Sequence, residues 1–315
     1  MFHPFFYKMK ITCFNLTAIL IFRRQTGELI KKVYCCLWSE CLAGRSGNDI
    51  ASGLRDILDK VFTTYPDIRK LVTWSDSCVP QNRNQIMSYM MQDILKKHSH
   101  VQSITMKYSE PRHSTIQEVD AVHSVIERSL KHKEVFSLLD LTKKLLIVRP
   151  RDPFVIIQMT KQKFFDYAKT SKCYKYSLVP FSKVKLLQFK QGLCKRVFYK
   201  TSFADTTPSV ALIAPEASPR RPLPNVSAVN VVERLLPPVP SSTVVELPTA
   251  KIKDVESLYR FMPAVDVAYV KSLIRSCNRA EVPSTSAEIT ACPEAASAVN
   301  APKVKTRNSK KLVAK

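Results

Sequence analysis

A short apolar run, Leu71 to Ser75, leads directly into an acid and an amide-rich turn. The residues are Trp74-Ser75-Asp76-Ser77-Cys78-Val79-Pro80-Gln81-Asn82-Arg83-Asn84. Open α/β sheets place their sites beyond the carboxyl ends of strands, so Asp76 stands where a metal-binding carboxylate is expected. The plainer reading is that Asp76 and Asn82 only cap the next helix, and spacing alone leaves the two open. A second polar group is Asp120, His123, Ser124 and Glu127. Its offsets of three, four and seven put all four residues on one helical face. Facing Asp76, those carboxylates would share Mg2+ or Mn2+, since Mg2+ prefers oxygen ligands and keeps several waters. Otherwise they form a solvated face opposite the Val119-Val122-Ile126 stripe. Glu40, just past a strand, could reach the same sheet edge; alone it is an ordinary surface acid. His113, in Pro111-Arg112-His113-Ser114, has the place of a turn or cap residue.

The elements that must position these residues alternate. Residues 11–22 and 29–38 read as strands around a Gln25-Thr26-Gly27-Glu28 turn, the second rich in Ile, Val and Tyr. The hinge Ala43-Gly44-Arg45-Ser46-Gly47 ends in capping residues. Ile50, Leu54, Ile57, Leu58, Val61 and Phe62 then recur at helical spacing, up to Pro66. A strand at 71–75 follows, then a helix through Ile86, Tyr89, Met90 and Ile94, a strand at 101–108, and a helix through Ile116 to Leu130. Leu145 to Val148 reads as strand-like, Pro153 to Lys169 as a helix, and 174–180, 183–189 and 196–203 as β-rich runs. Residues 207–250 hold nine prolines and no sustained period, which reads as an insertion or linker. Helical spacing returns over 251–275, broken at Pro263. Residues 278–315, rich in Ala, Ser, Pro and Lys, are expected to be a disordered basic tail. The alternation argues an α/β fold.

The chain has 315 residues, 45 % of them apolar, so a large core can be buried; 49 Lys and Arg against 26 acids give a net charge of +23. Such an excess attracts phosphate backbones. It is concentrated: residues 131–200 hold 17 basic residues and four acids, interleaved with aromatics. Lys183, Lys185, Lys195, Arg196 and Lys200 are the candidate phosphate contacts. The alternative is a lysine face over core aromatics. No helix-turn-helix or zinc-finger pattern supports sequence-specific readout. The nine cysteines include no C-x-x-C pair and no secretory framework. The apolar run near the N-terminus is too short to span a bilayer and reads as a strand.

Three segments resemble a large eukaryotic family of transposon-derived proteins, catalogued as a domain of unknown function. They are Leu37-Trp38-Ser39-Glu40 with Ala43 to Ser52; Trp74-Ser75-Asp76-Ser77-Cys78 with Gln81-Asn82-Arg83-Asn84; and His113-Ser114 with Val119-Asp120, His123 and Ile126-Glu127. Lys253-Asp254 to Met262-Pro263 is similar to the family's C-terminal end. The resemblance implies a ribonuclease-H-like, transposase-type domain over residues 10–275, with a mixed sheet flanked by helices and further C-terminal β elements. It implies Asp76, Asp120, Glu127 and Glu40 as the acids of a site for divalent metal and phosphodiester cleavage or strand transfer. Ser75, Cys78, Gln81, Asn82, Asn84, His113 and His123 carry the motifs. The chain departs from the pattern at Phe22-Arg23-Arg24, where an acid is expected, and at Val79-Pro80 and Arg112, where glycines are. The expectation is therefore a nuclear protein that binds nucleic acid, DNA rather than RNA, with no membrane span and with lapsed catalysis. An active metal-dependent nuclease and a protein-interaction module are the alternatives.

Overall fold

A computed structural model describes residues 8–110, 118–214 and 235–278. The fold is mixed α/β, with mixed sheets flanked by helices. Strands β1 (Cys13–Arg23) and β2 (Leu29–Ser39) form an antiparallel hairpin from Arg23↔Leu29 to Cys13↔Ser39. Gly27 takes φ +86° in its turn, a conformation that side-chain-bearing residues rarely adopt. Strand β5 (Val155–Gln158) joins β2 in parallel and completes a three-stranded sheet. From Val33 to Trp38 every residue of β2 is buried, because both faces of the sheet are covered.

Helix α1 (Gly47–Thr64) covers one face. Its start is fixed by a capping box in which Ser46 and Asp49 satisfy each other's backbone N–H groups. Gly53 lets α1 approach closely: a Cβ there would lie 3.3 Å from both Leu16 and Trp38. The opposite face, through Val33, Cys35 and Leu37, packs with Val122 and Ile126 of α3 (Glu118–Leu130) and with Leu138 and Leu145 of α4 (Leu138–Leu146).

Strands β3 (Lys70–Ser75) and β4 (Ser103–Tyr108) run parallel and are linked by α2 (Gln85–Lys97). They open a second, five-stranded sheet in the order β3-β4-β7-β8-β9, completed by β7 (Leu186–Lys190), β8 (Arg196–Lys200) and β9 (Ser209–Leu212). Helix α2 packs between α1 and the inner face of this sheet, joining both sheets in one core through Met87, Met90, Ile104, Leu187 and Phe189. Short β6 (Phe165–Asp166) pairs with β10 (Val239–Pro240), and α5 (Tyr167–Ser171) follows β6. Helices α6 (Thr249–Leu258) and α7 (Ala264–Asn278) close a third cluster with Cys41, Val255, Val270 and Ile274.

Four readings need correction. Leu145 belongs to a helix: Ser137 caps α4, and Leu138 and Leu145 lie two turns apart on its buried face. Residues 153–169 are not one helix, because the β-branched Val155-Ile156-Ile157 pairs with β2 and a 3-10 turn follows at Lys161–Lys163. The run 174–180 holds a 3-10 turn at Tyr176–Leu178. The proline-rich stretch supplies two strands, β9 and β10. Of the proposed tail, Asn278 ends α7, and residues 279–315 lie outside the described residues.

Candidate functional site

The loop after β3 is built by its own polar residues. The carbonyl of Cys78 accepts from the N–H groups of Gln81, Asn82 and Arg83 at 3.2, 2.8 and 3.4 Å. Exposed Asp76 accepts from Asn82 Nδ2 and from the Cys78 N–H. Asn84 is the N-cap of α2: its Oδ1 accepts from Met87 N at 2.9 Å, and its Nδ2 donates to the carbonyls of Val79 and Pro80 at 3.0 Å each. The Tyr108 hydroxyl donates to the Asn82 carbonyl at 3.2 Å. Ser75, Cys78 and Gln81 are half-buried. Arg83, which the sequence reading did not single out, is 5 % exposed and donates to the Val184 carbonyl at 3.0 Å. It ties the loop to the turn that precedes β7. The signal was an arginine inside an otherwise uncharged amide turn.

Two of the resembling segments meet here. A Cβ on Gly47 would lie 3.1 Å from the Pro80 carbonyl and 3.8 Å from Asn84 Nδ2, so the start of α1 abuts the loop. The acids are placed apart. Helix α3 packs on the face of the hairpin sheet opposite α1, with Asp120 and Glu127 exposed and His123 half-buried. Glu40 accepts from the Thr12 N–H and pairs with Lys251 of α6, with 22 % and 15 % of the two side chains exposed. Its charge anchors the C-terminal helices. Two further acids that could have reached Asp76 are also engaged: Asp49 within the α1 cap at 2.8 Å from Ser46, and Glu110 with Lys185. Arg23 and Arg24 sit at the hairpin turn, where Arg24 pairs with Glu28 at 3.0 Å. That is about 36 Å along the strands from Glu40, at roughly 3.3 Å per residue. Among the described residues, no group of three or more His, Cys, Asp or Glu side chains is placed to hold a metal ion. The four acids that the resemblance implies are thus not gathered around one ion. His113 lies outside the described residues.

The basic residues gather more closely. The register puts Lys70, Val72 and Trp74 of β3 beside Ser103, Thr105 and Lys107 of β4. Leu186, Gln188 and Lys190 of β7 continue this face, followed by Arg196, Phe198 and Lys200 of β8 and by Val210 and Leu212 of β9. The face turns away from α2, whose contacts are with the alternate residues Ile104, Met106, Leu187 and Phe189. It carries Lys70, Lys107, Lys190, Arg196 and Lys200, and no acid. Of the five cations singled out in the sequence, Arg196 and Lys200 belong to it. Lys183 lies in a turn, Lys185 is paired with Glu110, and Lys195 precedes β8 in a turn. Lys200 also donates to the carbonyls of Asp205 and Thr206 at 2.6 and 3.3 Å, bracing the β8–β9 turn.

Among the described residues no helix is long and apolar enough to cross a membrane. The eight described cysteines are free thiols. Compared with family models, curated proteins and solved structures, the chain matches none.

Proposed function

We propose that this chain is a nucleic-acid-binding protein descended from a transposase-type, ribonuclease-H-like ancestor, and that its catalysis has lapsed. The observation that carries the binding is the outer face of the five-stranded sheet, with five cations and no acid across its strands. Phosphate contacts of this kind give affinity without sequence preference, in keeping with a net charge of +23. The ancestry is supported by the order of hairpin, α1 and a strand ending in Asp76, and by the meeting of the Gly47 and Asn84 segments. Lapsed catalysis is supported by the separation of Asp76 from α3 by the hairpin sheet, and by the engagement of Glu40 with Lys251. DNA is the preferred partner in this reading, and the nucleus the compartment.

The test is to incubate the full chain with labelled DNA in Mg2+ or Mn2+, beside Asp76→Ala. Binding without cleavage, unchanged by the substitution and weakened by salt, is expected. Metal-dependent nicking that Asp76→Ala abolishes would establish an active nuclease in its place.

A further inference from the structure

We infer that the outer face of the five-stranded sheet is a stacking platform for a single strand of nucleic acid; this rests on, and sharpens, the nucleic-acid reading above. Charge alone does not explain the face. Trp74 is 60 % exposed, Val72 and Val210 each 52 %, Leu212 55 %, and Phe203, in the turn after β8, 44 %. They stand at the two edges of the face, Val72 and Trp74 on β3 and Val210 and Leu212 on β9, with Lys107, Lys190, Arg196, Lys200 and Phe198 on the strands between. A merely solvated lysine face has no reason to expose large apolar groups at both edges. The rings and cations alternate in contact. Lys107 Nζ lies 5.1 Å from the centre of the Trp74 ring and Lys190 Nζ 4.3 Å from that of Phe198. The Phe203 ring stands 6.2 Å from Trp74, tilted by 32°.

An aromatic ring flanked by an ammonium group offers one contact to a base and one to its phosphate. Only an unpaired base can use both, because the faces of duplex bases are already stacked on each other. Trp74 and Phe198 are on strands three places apart, about 14 Å at the usual strand spacing, so they serve different bases of one strand crossing the sheet. Among the described residues the acids near this face lie beyond the strand ends: Asp67 before β3, Asp76 after it, Glu110 after β4 and paired with Lys185, and Asp205 after β8. With five cations and no acid on its own strands, the face is positive.

The chain supplies its own probe. Of its two tryptophans, Trp38 is 2 % exposed and Trp74 60 %, so quenching by a bound base reads Trp74. The full chain is titrated with a thymidine oligonucleotide and with a duplex of equal length, following anisotropy and tryptophan emission. Tighter binding of the single strand, with quenching, is expected. Trp74→Ala and Phe198→Ala should each weaken it about tenfold, the order of one base stack. The urea midpoint of Trp74→Ala, an exposed site, should be unchanged. If the duplex binds as tightly and Trp74→Ala alters nothing while Lys190→Glu weakens binding, the stacking inference fails and the nucleic-acid reading stands. If neither form binds, both fail. If the free protein is a dimer that Trp74→Ala dissociates, a second copy occupies the face and the inference is overturned.

Discussion

Replacing Asn84 with alanine removes three hydrogen bonds at once: the cap to Met87 N at 2.9 Å and the two from Nδ2 to Val79 and Pro80 at 3.0 Å. Loss of an asparagine N-cap costs about 1 kcal/mol, and two exposed carbonyl bonds add about 0.5 kcal/mol each. Asn84→Ala should therefore lose about 2 kcal/mol of stability, or roughly 4–8 °C in Tm for a domain of this size. Asn84→Asp separates the terms. It keeps the acceptor and places a negative charge at the start of α2, where it is favoured, but it loses both donors, so about half the loss should remain. Urea denaturation measures the series, with an unchanged slope marking an unchanged unfolded state. Affinity for nucleic acid should be unaltered wherever the variant is folded, because this asparagine builds the loop. Undiminished stability in Asn84→Ala, or an aspartate variant as weak as the alanine one, would refute the reasoning and return the motif to direct chemistry.

Other consequences follow from burial and charge. Burial, with the His98 ring and the Arg69 guanidinium beside it, holds the His100 ring below its ordinary pKa of 6.5. Its neutral form is favoured in the fold, so that part of the stability is complete above pH 6.5 and lost as pH falls through the lower folded value. His100→Gln should flatten the pH dependence of the urea midpoint between pH 7 and about 5, and an unchanged slope would count against it. Cys35 and Cys36 are fully buried, and burial pushes the Cys35 thiol up to about 11 and raises that of Cys36 further. Maleimide pulses read by mass spectrometry should label both only as fast as the chain opens. Glu40→Gln breaks the ion pair with Lys251. It should cost about 1 kcal/mol at this part-exposed site and speed proteolysis near α6, with no change in nucleic-acid affinity.

The sequence made the hairpin, α1, β3, α2 and β4 legible because their apolar periods are clear and the turn at Gly27, the Ala43–Gly47 hinge and Pro66 punctuate them; the cap of α2, read as Asp76 or Asn82, belongs to Asn84. It misled between residues 145 and 180. There the strands are two to four residues long and take their identity from distant partners, as β5 does from β2. The same non-locality hid the split into two sheets, since nothing in the residues of β3 says that it pairs with β4 and not with the hairpin. At the candidate site, the acids of α3 and Glu40 were expected beside Asp76, and the structure brings only the Gly47 and Asn84 segments together. A helix with one apolar stripe, Val122 and Ile126, fits either face of a sheet. The outer face of the five-stranded sheet was half visible. Arg196 and Lys200 stood in a basic run, but Trp74, Lys107 and Lys190 come from strands far apart in the chain, and only the register joins them.

The most direct measurement is the salt dependence of affinity for a single-stranded oligonucleotide, in the full chain and in Arg196→Ala. Five cations lie on the face, one of them partly engaged by loop carbonyls. Each phosphate neutralised contributes about −0.7 to the slope of log affinity against log salt for a single strand, so a slope of about −3 is expected. Arg196→Ala should reduce its magnitude by about 0.7, one phosphate contact. Affinity indifferent to salt, or a slope that Arg196→Ala leaves unchanged, would contradict binding through this face.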